Sequence, residues 1–270
     1  MIRTARRTAT ARCAAARARQ RPRSSSSTST PRAPRPARLD AFDLIGFPGG
    51  FSYGDDIASG RIFAMRARQT LWPALRRAID RGVPMIGACN GFQVMVQIGI
   101  LPGPPAGKPW PDDAPPPQTI ALTWNDSARF IDRWAAVTVE PGVECVWTAG
   151  LDPDLGADVL RLPIAHAEGR LVVGAGASVG SLEAGGHVAL RYAEPVNGSA
   201  GSIAGVCDAS GRIFGLMPHP ERYLSWVHHP FWTRLDPSVR RGETPGLAMF
   251  RSAVRSAVRS AARSGRGAPV

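Results

Sequence analysis

Lysine is almost missing from this chain of 270 residues: Lys108 is its only one, and every other basic residue is arginine. Acid is missing too, but only from the ends. Residues 1–39 hold 11 arginines and no Asp or Glu; residues 247–270 hold five arginines and no acid. The stretch between them, 40–246, carries 17 bases and 21 acids, a net of −4, so the formal +12 of the whole chain belongs to two appendages. A basic groove on the folded part is not expected, and nucleic acid is not an expected partner. Arginine without lysine, beside 29 Gly and 25 Pro, reads as GC-biased coding more than as selection for phosphate contact.

Cysteine is scarce and scattered. Cys13, Cys89, Cys145 and Cys207 form no CxxC pair and follow no secretory signal. Neither a disulfide scaffold nor a metal site is expected, and a reduced, cytoplasmic setting fits best. No run of 18 apolar residues exists. The nearest, Val83 to Leu101, is broken by Asn90, Gln93 and Gln97, which excludes a membrane-spanning segment and a membrane partner.

What is present is 44% hydrophobic, an ordinary figure for a globular domain. Residues 1–38 run from Ala/Arg through Ser/Thr to Pro/Arg without apolar periodicity, and this predicts a disordered segment. Residues 39–246 read as one α/β domain. Phe42–Phe47 is a short apolar strand that ends in the turn Pro48-Gly49-Gly50. A helix follows over Trp72–Ile79, with Pro73 in its first turn and Gly82 as its stop. Val83–Gly87 is a second strand, leading through Cys89 into a helix over Phe92–Ile98 that stops at Gly99. Strand, helix, strand, helix is the order of a parallel sheet flanked by helices.

Eight prolines in residues 102–117 predict an extended surface loop. Further strands are expected at Thr119–Trp124, Trp134–Glu140, Val159–Leu162, Val188–Tyr192, Ile203–Cys207 and Ile213–Met217. Residues 247–270 predict a basic helical or frayed tail. Arg251, Arg255, Arg259 and Arg263 recur every four residues beside Phe250, Val254 and Val258, the set expected to dock.

Three strand ends carry chemistry. Gly87-Ala88-Cys89-Asn90-Gly91 has the form of a nucleophile elbow between strand and helix, where only Gly or Ala leaves room for so sharp a turn. A cysteine at a helix N-terminus meets free N–H groups and the positive dipole end, which favour the thiolate. The amide of Asn90 would then donate to an oxyanion. Taken alone, the motif is equally compatible with a buried structural cysteine in a tight turn. The second end is Met217-Pro218-His219-Pro220-Glu221. Each proline keeps the preceding residue extended, so Glu221 would lie on the side of His219 and orient its ring. A thiolate needs a base, and the base an orienting acceptor. His187, His228 and His229 lack such a frame and read as core or surface residues. The third end is Pro48-Gly49-Gly50, where Gly50 could aim a second amide at an oxyanion.

With these three motifs in this order, the sequence resembles the class I (triad) glutamine amidotransferases. Pro48 to Asp56 (PGGFSYGDD), Gly87 to Gln93 (GACNGFQ) and Pro163 to Arg170 (PIAHAEGR) look like those of one subfamily, the glutaminase subunits of phosphoribosylformylglycinamidine synthases. Thr123–Ser127, Asn197–Ser199 and Ile203–Cys207 add to the likeness, which runs from about Phe42 to Tyr223. The resemblance implies a flavodoxin-like amidotransferase fold, a mostly parallel central sheet flanked by helices. It implies Cys89 as nucleophile, His219 as proton shuttle and Glu221 as its orienter. Gly50 and Asn90 would supply the oxyanion amides, with Gln93 and His166 beside the substrate glutamine. No cofactor is expected on this chain, which has no G-x-x-x-x-G-K-[ST] loop. ATP and magnesium would serve an ATP-dependent synthetase partner, with a small third subunit as a further candidate.

Members of that family open with a strand, a helix and a second strand before PGG, and here the Arg/Ser/Pro segment stands in that place. A wrongly framed start, a truncated first unit and an organelle-targeting segment would each account for it, and the composition favours the first. Four other readings stay open: an impaired binding subunit that docks without hydrolysis, a glutaminase serving another synthetase, a cysteine peptidase of similar fold, and nucleic-acid binding through the tails.

Overall fold

All but one of the apolar runs read as strands in the sequence join a single sheet; Thr119–Trp124 instead enters a separate ribbon. The computed structural model describes residues 13–15 and 36–263. Its strands are β1 (Cys13–Ala15), β2 (Leu44–Phe47), β3 (Met85–Ala88), β4 (Ile120–Thr123), β5 (Ile131–Val139), β6 (Arg161–His166), β7 (Arg170–Val173), β8 (Val188–Tyr192), β9 (Ile203–Cys207) and β10 (Ile213–Leu216). Its helices are α1 (Arg61–Thr70), α2 (Trp72–Asp80), α3 (Asn90–Ile98), α4 (Val179–Ala184) and α5 (Pro245–Arg263).

Eight strands form the sheet in the order β1-β2-β3-β10-β9-β8-β5-β6, and β4 and β7 make a separate ribbon. The centre is the expected parallel sheet, with β1–β2, β2–β3 and β3–β10 all parallel. From β10 outward the pairings turn antiparallel, through β9, β8, β5 and β6. Two antiparallel steps restore direction, so β8 and β6 run the same way as β2, β3 and β10. The carboxyl ends of these five strands share one edge.

Side chains that alternate along a strand face opposite layers. Ile45, Met85 and Ile213 enter a core with Trp72, Leu75, Phe92, Met95 and Ile98 from α2 and α3. Their neighbours Leu44, Ile86 and Phe214 enter the other, with Trp147, Leu162, Leu216, Tyr223 and Met249. Strands buried on both faces read as unbroken apolar runs, which is why β2, β3 and β10 stood out in the sequence. The 102–117 loop contains no helix or strand and is pinned to α2: Trp72 Nε1 donates to Asp112 O (3.0 Å) and the Trp110 ring packs, tilted, 6.3 Å from that of Trp72.

Both ends of the chain require correction. Residues 1–38 read as devoid of elements, yet Cys13–Ala15 pair in parallel with Leu44–Gly46 as an edge strand. Three small residues inside an Arg/Ala stretch leave no periodic signal; backbone bonds to β2 define this strand. Residues 36–38 also depart from the expectation, since Pro36–Ala41 form a 3-10 turn; the rest of that segment, and the tail beyond Arg263, lie outside the described residues. At the other end a helix does form, and of Phe250, Val254 and Val258 only Phe250 docks, half-buried and edge-on to Trp147 at 6.2 Å. Ala248, Met249, Ser252, Ala253, Ser256 and Ala257 are buried, while Val254 and Val258 are exposed. Small residues let α5 approach closely: a Cβ on Gly150 would stand 2.7 Å from Ala248 O and 3.0 Å from Ser252 Cβ. Sequence reading also passed over α1, β7 and α4. α1 buries Ala64 and Ala67, too small to make an apolar stripe conspicuous; α4 rests on a capping box between Ser178 and Ser181.

Candidate active site

Cys89 sits between β3 and α3 with φ 52 and ψ −111, a conformation that costs a non-glycine residue free energy. Its backbone is fixed from both sides: Cys89 N donates to Leu216 O (2.8 Å) and Gln93 N to Cys89 O (3.1 Å). The flanking glycines are required by contact. A Cβ on Gly87 would lie 2.7 Å from the Gly91 carbonyl, and one on Gly91 would run into Phe47 O. α3 thus packs tightly on β2 and β3, and the thiol is held at the helix N-terminus. It is only 7% exposed, and Cys89 Sγ points to Ala165 O at 3.7 Å.

His219 follows β10 and is 8% exposed. Its N–H donates to Pro163 O (2.8 Å), which ties the residue to β6. Its Nδ1 lies 2.5 Å from Glu221 Oε1, the orientation that the two prolines predicted. Burial pulls the imidazole pKa down, but hydrogen bonding to Cys89 and Glu221 and their charges overcome it, raising it to about 9. The site therefore sets the cysteine sulfur at the same edge as a cationic imidazole held by Glu221.

Gly49 and Gly50 do different work. A Cβ on Gly49 would stand 2.7 Å from His219 Cε1 and 3.4 Å from Ala88 O, so this glycine lets the turn close over the ring. Gly50 has φ +118 and open space where a Cβ would point, which fits an amide turned toward a ligand. Asn90 opens α3, so its N–H is one of the helix's free donors. Its side chain joins the two loops: Oδ1 accepts from Ser52 N (3.4 Å), and Nδ2 donates to Asp55 Oδ1 (3.2 Å) and Gln93 Oε1 (3.1 Å).

Gln93 is buried with its amide engaged: Oε1 takes Asn90, and Nε2 donates to Glu168 O. In this structure it ties α3 to the turn after β6. His166, at the end of β6, is buried with Nδ1 3.1 Å from Asn125 Oδ1. Burial and then the charge of His219 lower its pKa to about 4, so it is neutral. Asn125 Nδ2 donates to His166 O (2.9 Å) and its Oδ1 accepts from Gly169 N (3.2 Å), which makes Oδ1 an acceptor and His166 Nδ1 the donor to it. The Nε2 lone pair is left buried and unpartnered.

All seven residues singled out in the sequence thus gather at the shared carboxyl edge, where parallel sheets place ligands. The other histidines do not: His187 bonds Cys207 O (2.9 Å), His229 packs against Trp134 and Tyr223, and His228 is exposed. Among the described residues no His, Cys, Asp and Glu cluster of three or more is placed to hold a metal.

A glutamine amidotransferase domain, described as CobB/CobQ-like, matches residues 9–256. The chain belongs to the glutamine amidotransferase family. Its relatives include the phosphoribosylformylglycinamidine synthase subunit PurQ of Dehalococcoides mccartyi, 39% identical over 227 residues, covering 82% of each chain. The PurQ of Archaeoglobus fulgidus is 36% identical, over 79% of this chain and 77% of its own. Among solved structures, PurLQS from Thermotoga maritima aligns with a TM-score of 0.59 and 32% identity, covering 80% of this chain and 81% of the other. The family match begins at residue 9, inside the arginine-rich segment and well before Phe42.

In this amidotransferase several residues support the centre that sequence reading did not single out. Asp55 has φ 53; its carboxylate accepts from Asn90 Nδ2 (3.2 Å), Gly60 N (3.3 Å) and Ser59 Oγ (3.2 Å), which shapes the loop after Gly50. The carbonyls of Pro163 and Ala165 hold His219 and face Cys89. Backbone acceptors carry no side-chain signal, so only the fold could reveal them.

Proposed function

We propose that this chain is the glutaminase subunit of a phosphoribosylformylglycinamidine synthase. The observation that carries the reading is Cys89 at the strained turn into α3, with His219, bonded to Glu221 at 2.5 Å, on the same carboxyl edge of the sheet. Cys89 attacks the side-chain amide carbon of glutamine, and the amides of Gly50 and Asn90 hold the oxyanion. His219, cationic and anchored by Glu221, gives its proton to the leaving nitrogen, and ammonia departs. Water, giving a proton to the now neutral His219, then attacks the glutamyl thioester, which releases glutamate and returns the cysteine sulfur beside a cationic imidazole. His166 offers its Nε2 lone pair at the rim of the site, and Gln93 holds the turn that carries it.

Ammonia passes to an ATP-dependent synthetase, which uses it to convert formylglycinamide ribonucleotide to the amidine in purine synthesis. That synthetase and a small third subunit are the partners in this reading, supported by the likeness to the PurLQS structure. The chain itself carries no cofactor; ATP and magnesium belong to the synthetase. A cytoplasmic setting accompanies it, and no described helix is long and apolar enough to cross a membrane. The test is Cys89→Ala, assayed with the synthetase present. Loss of ammonia release from glutamine, with complex formation intact, is expected; undiminished release would overturn the reading.

A further inference from the structure

Asn125 stands just past β4, on the two-stranded ribbon and outside the main sheet, and it reaches the catalytic edge from there. Its side chain is buried, and every hydrogen-bonding position of its amide is taken. Nδ2 donates to Arg129 O and to His166 O, both at 2.9 Å. Oδ1 accepts from Gly169 N (3.2 Å) and lies 3.1 Å from His166 Nδ1. The backbone N–H of Asn125 donates to Ala167 O (2.8 Å). Carbonyls only accept and a backbone N–H only donates, so the amide fits one way round and His166 Nδ1 carries the hydrogen. Asn125 thus grips His166, Ala167 and Gly169, in the turn that joins β6 to β7. That turn meets the catalytic residues on its other side. Ala165 O faces Cys89 Sγ at 3.7 Å, and Glu168 O accepts from Gln93 Nε2, whose partner oxygen takes Asn90 Nδ2. Glu168 Oε2 accepts from Ser59 N (3.2 Å) on the loop after Gly50. The turn is folded tightly: a Cβ on Gly169 would run into the His166 ring.

We propose that Asn125 is a positioning residue for the catalytic edge, acting through this turn. Its amide sets the Ala165 carbonyl against Cys89 and the Glu168 carbonyl against Gln93, and it holds His166 as a ring protonated at Nδ1 alone. The inference rests on glutamine hydrolysis at Cys89, the proposed function. Asparagine alone offers two donors and two acceptors at this length. Aspartate in its place would keep the acceptors, leave Arg129 O and His166 O unpaired, and set a charge on His166 Nδ1. Such a pair favours the imidazolium, as Glu221 does for His219. In the native site burial and the His219 charge keep His166 neutral. A proton on His166 would add a second cation to the edge that needs the one on His219. The other charged and titratable groups of the surrounding elements are Cys89 at the elbow, Glu221 after β10, Glu168 in the turn, Arg170 on β7, and Asp126 and Arg129 beside Asn125.

The experiment has two arms, both on the full-length chain. In the first, isotope-labelled histidine rings are followed by nitrogen NMR, with His166→Gln to assign the signal. His166 should be protonated at Nδ1 alone from about pH 6 to 8. A hydrogen on Nε2 in that range would overturn the proposal. In the second, kcat and KM for glutamine are measured against pH with the synthetase present, beside thermal denaturation. Asn125→Leu, of similar volume and without hydrogen bonds, should lower kcat by about 10²-fold at every pH, as a misplacement of about 1 Å does. Asn125→Asp should add what the leucine variant lacks, a fall in kcat/KM as pH drops through neutrality. A lowered melting temperature with kcat kept and no acid limb would make Asn125 structural alone and overturn the proposal, as would failure of both variants to fold. The ring hydrogen is read without turnover. A wild-type chain that carries it on Nδ1 and hydrolyses no glutamine would sink the proposed function and leave the grip of Asn125 on His166 standing.

Discussion

His219 carries opposing influences that meet on one ring. Burial disfavours its charge, and the Cys89 and Glu221 side chains restore it, leaving a cation up to about pH 9. A proton donor to ammonia must be charged, so glutamine hydrolysis should fall as pH rises through about 9. Glu221→Gln removes one of the two groups that hold the proton, so this alkaline limb should move down toward neutrality and the rate should drop by roughly 10²–10⁴-fold. A pH–rate profile of both proteins checks it; an unmoved limb would mean that Glu221 does not tune the ring. The same raised pKa is a stability term with a definite sign. It contributes fully below about 6.5, the ordinary histidine value, and is lost as pH climbs through about 9. Gly49 gives a second prediction at this scale. Gly49→Ala places a methyl 2.7 Å from His219 Cε1, which should displace the ring and cost about 10²-fold in rate while the melting temperature changes little. Steady-state kinetics with parallel calorimetry separates the two effects.

Elements meet here at glycine contacts. α3 can approach β2 only because Gly91 has no side chain to meet Phe47 O, and this closeness brings the helix N-terminus to the thiol. Gly91→Ala should therefore damage fold and site together, costing about 1–3 kcal/mol in urea unfolding, as overpacking does. An unchanged unfolding midpoint would show that the elbow relaxes freely. α5 illustrates the limit of pattern reading. Val254 and Val258 are exposed, and apart from Met249 and the half-buried Phe250 the docked face of that helix consists largely of alanine and serine. Hydrophobicity marks which residues prefer burial; shape at Gly150 decides which side of the helix fits.

For the whole molecule, the sheet begins at a three-residue strand. β1 covers one edge of β2, a strand whose side chains Leu44, Ile45 and Phe47 are buried. A chain starting at Pro36 would expose that edge to other copies. It should self-associate with rising concentration where the full chain does not, as read by light scattering. Monomeric behaviour of both would show that β1 is dispensable. The charge distribution belongs to this scale too: the catalytic edge lies in the −4 segment and the basic excess stays in the ends.

The chemistry of the site was legible because it depends on local patterns. The elbow at Gly87–Gly91 and the His-Pro-Glu segment each specify residue type and backbone shape within five positions. The parallel centre was legible for a similar reason, since strands buried on both faces leave unbroken apolar runs. β1 escaped because a three-residue edge strand carries no periodicity, and α1 because alanine marks a buried face weakly. Sequence alone singled out Cys89, His219 and Glu221 as candidate nucleophile, base and orienter. Only tertiary structure decided that β6 turns its Ala165 carbonyl, 76 residues along the chain, toward Cys89, and that its Pro163 carbonyl accepts from His219 N. Those relations depend on how the sheet returns its strands to one edge, through backbone bonds that no side chain encodes.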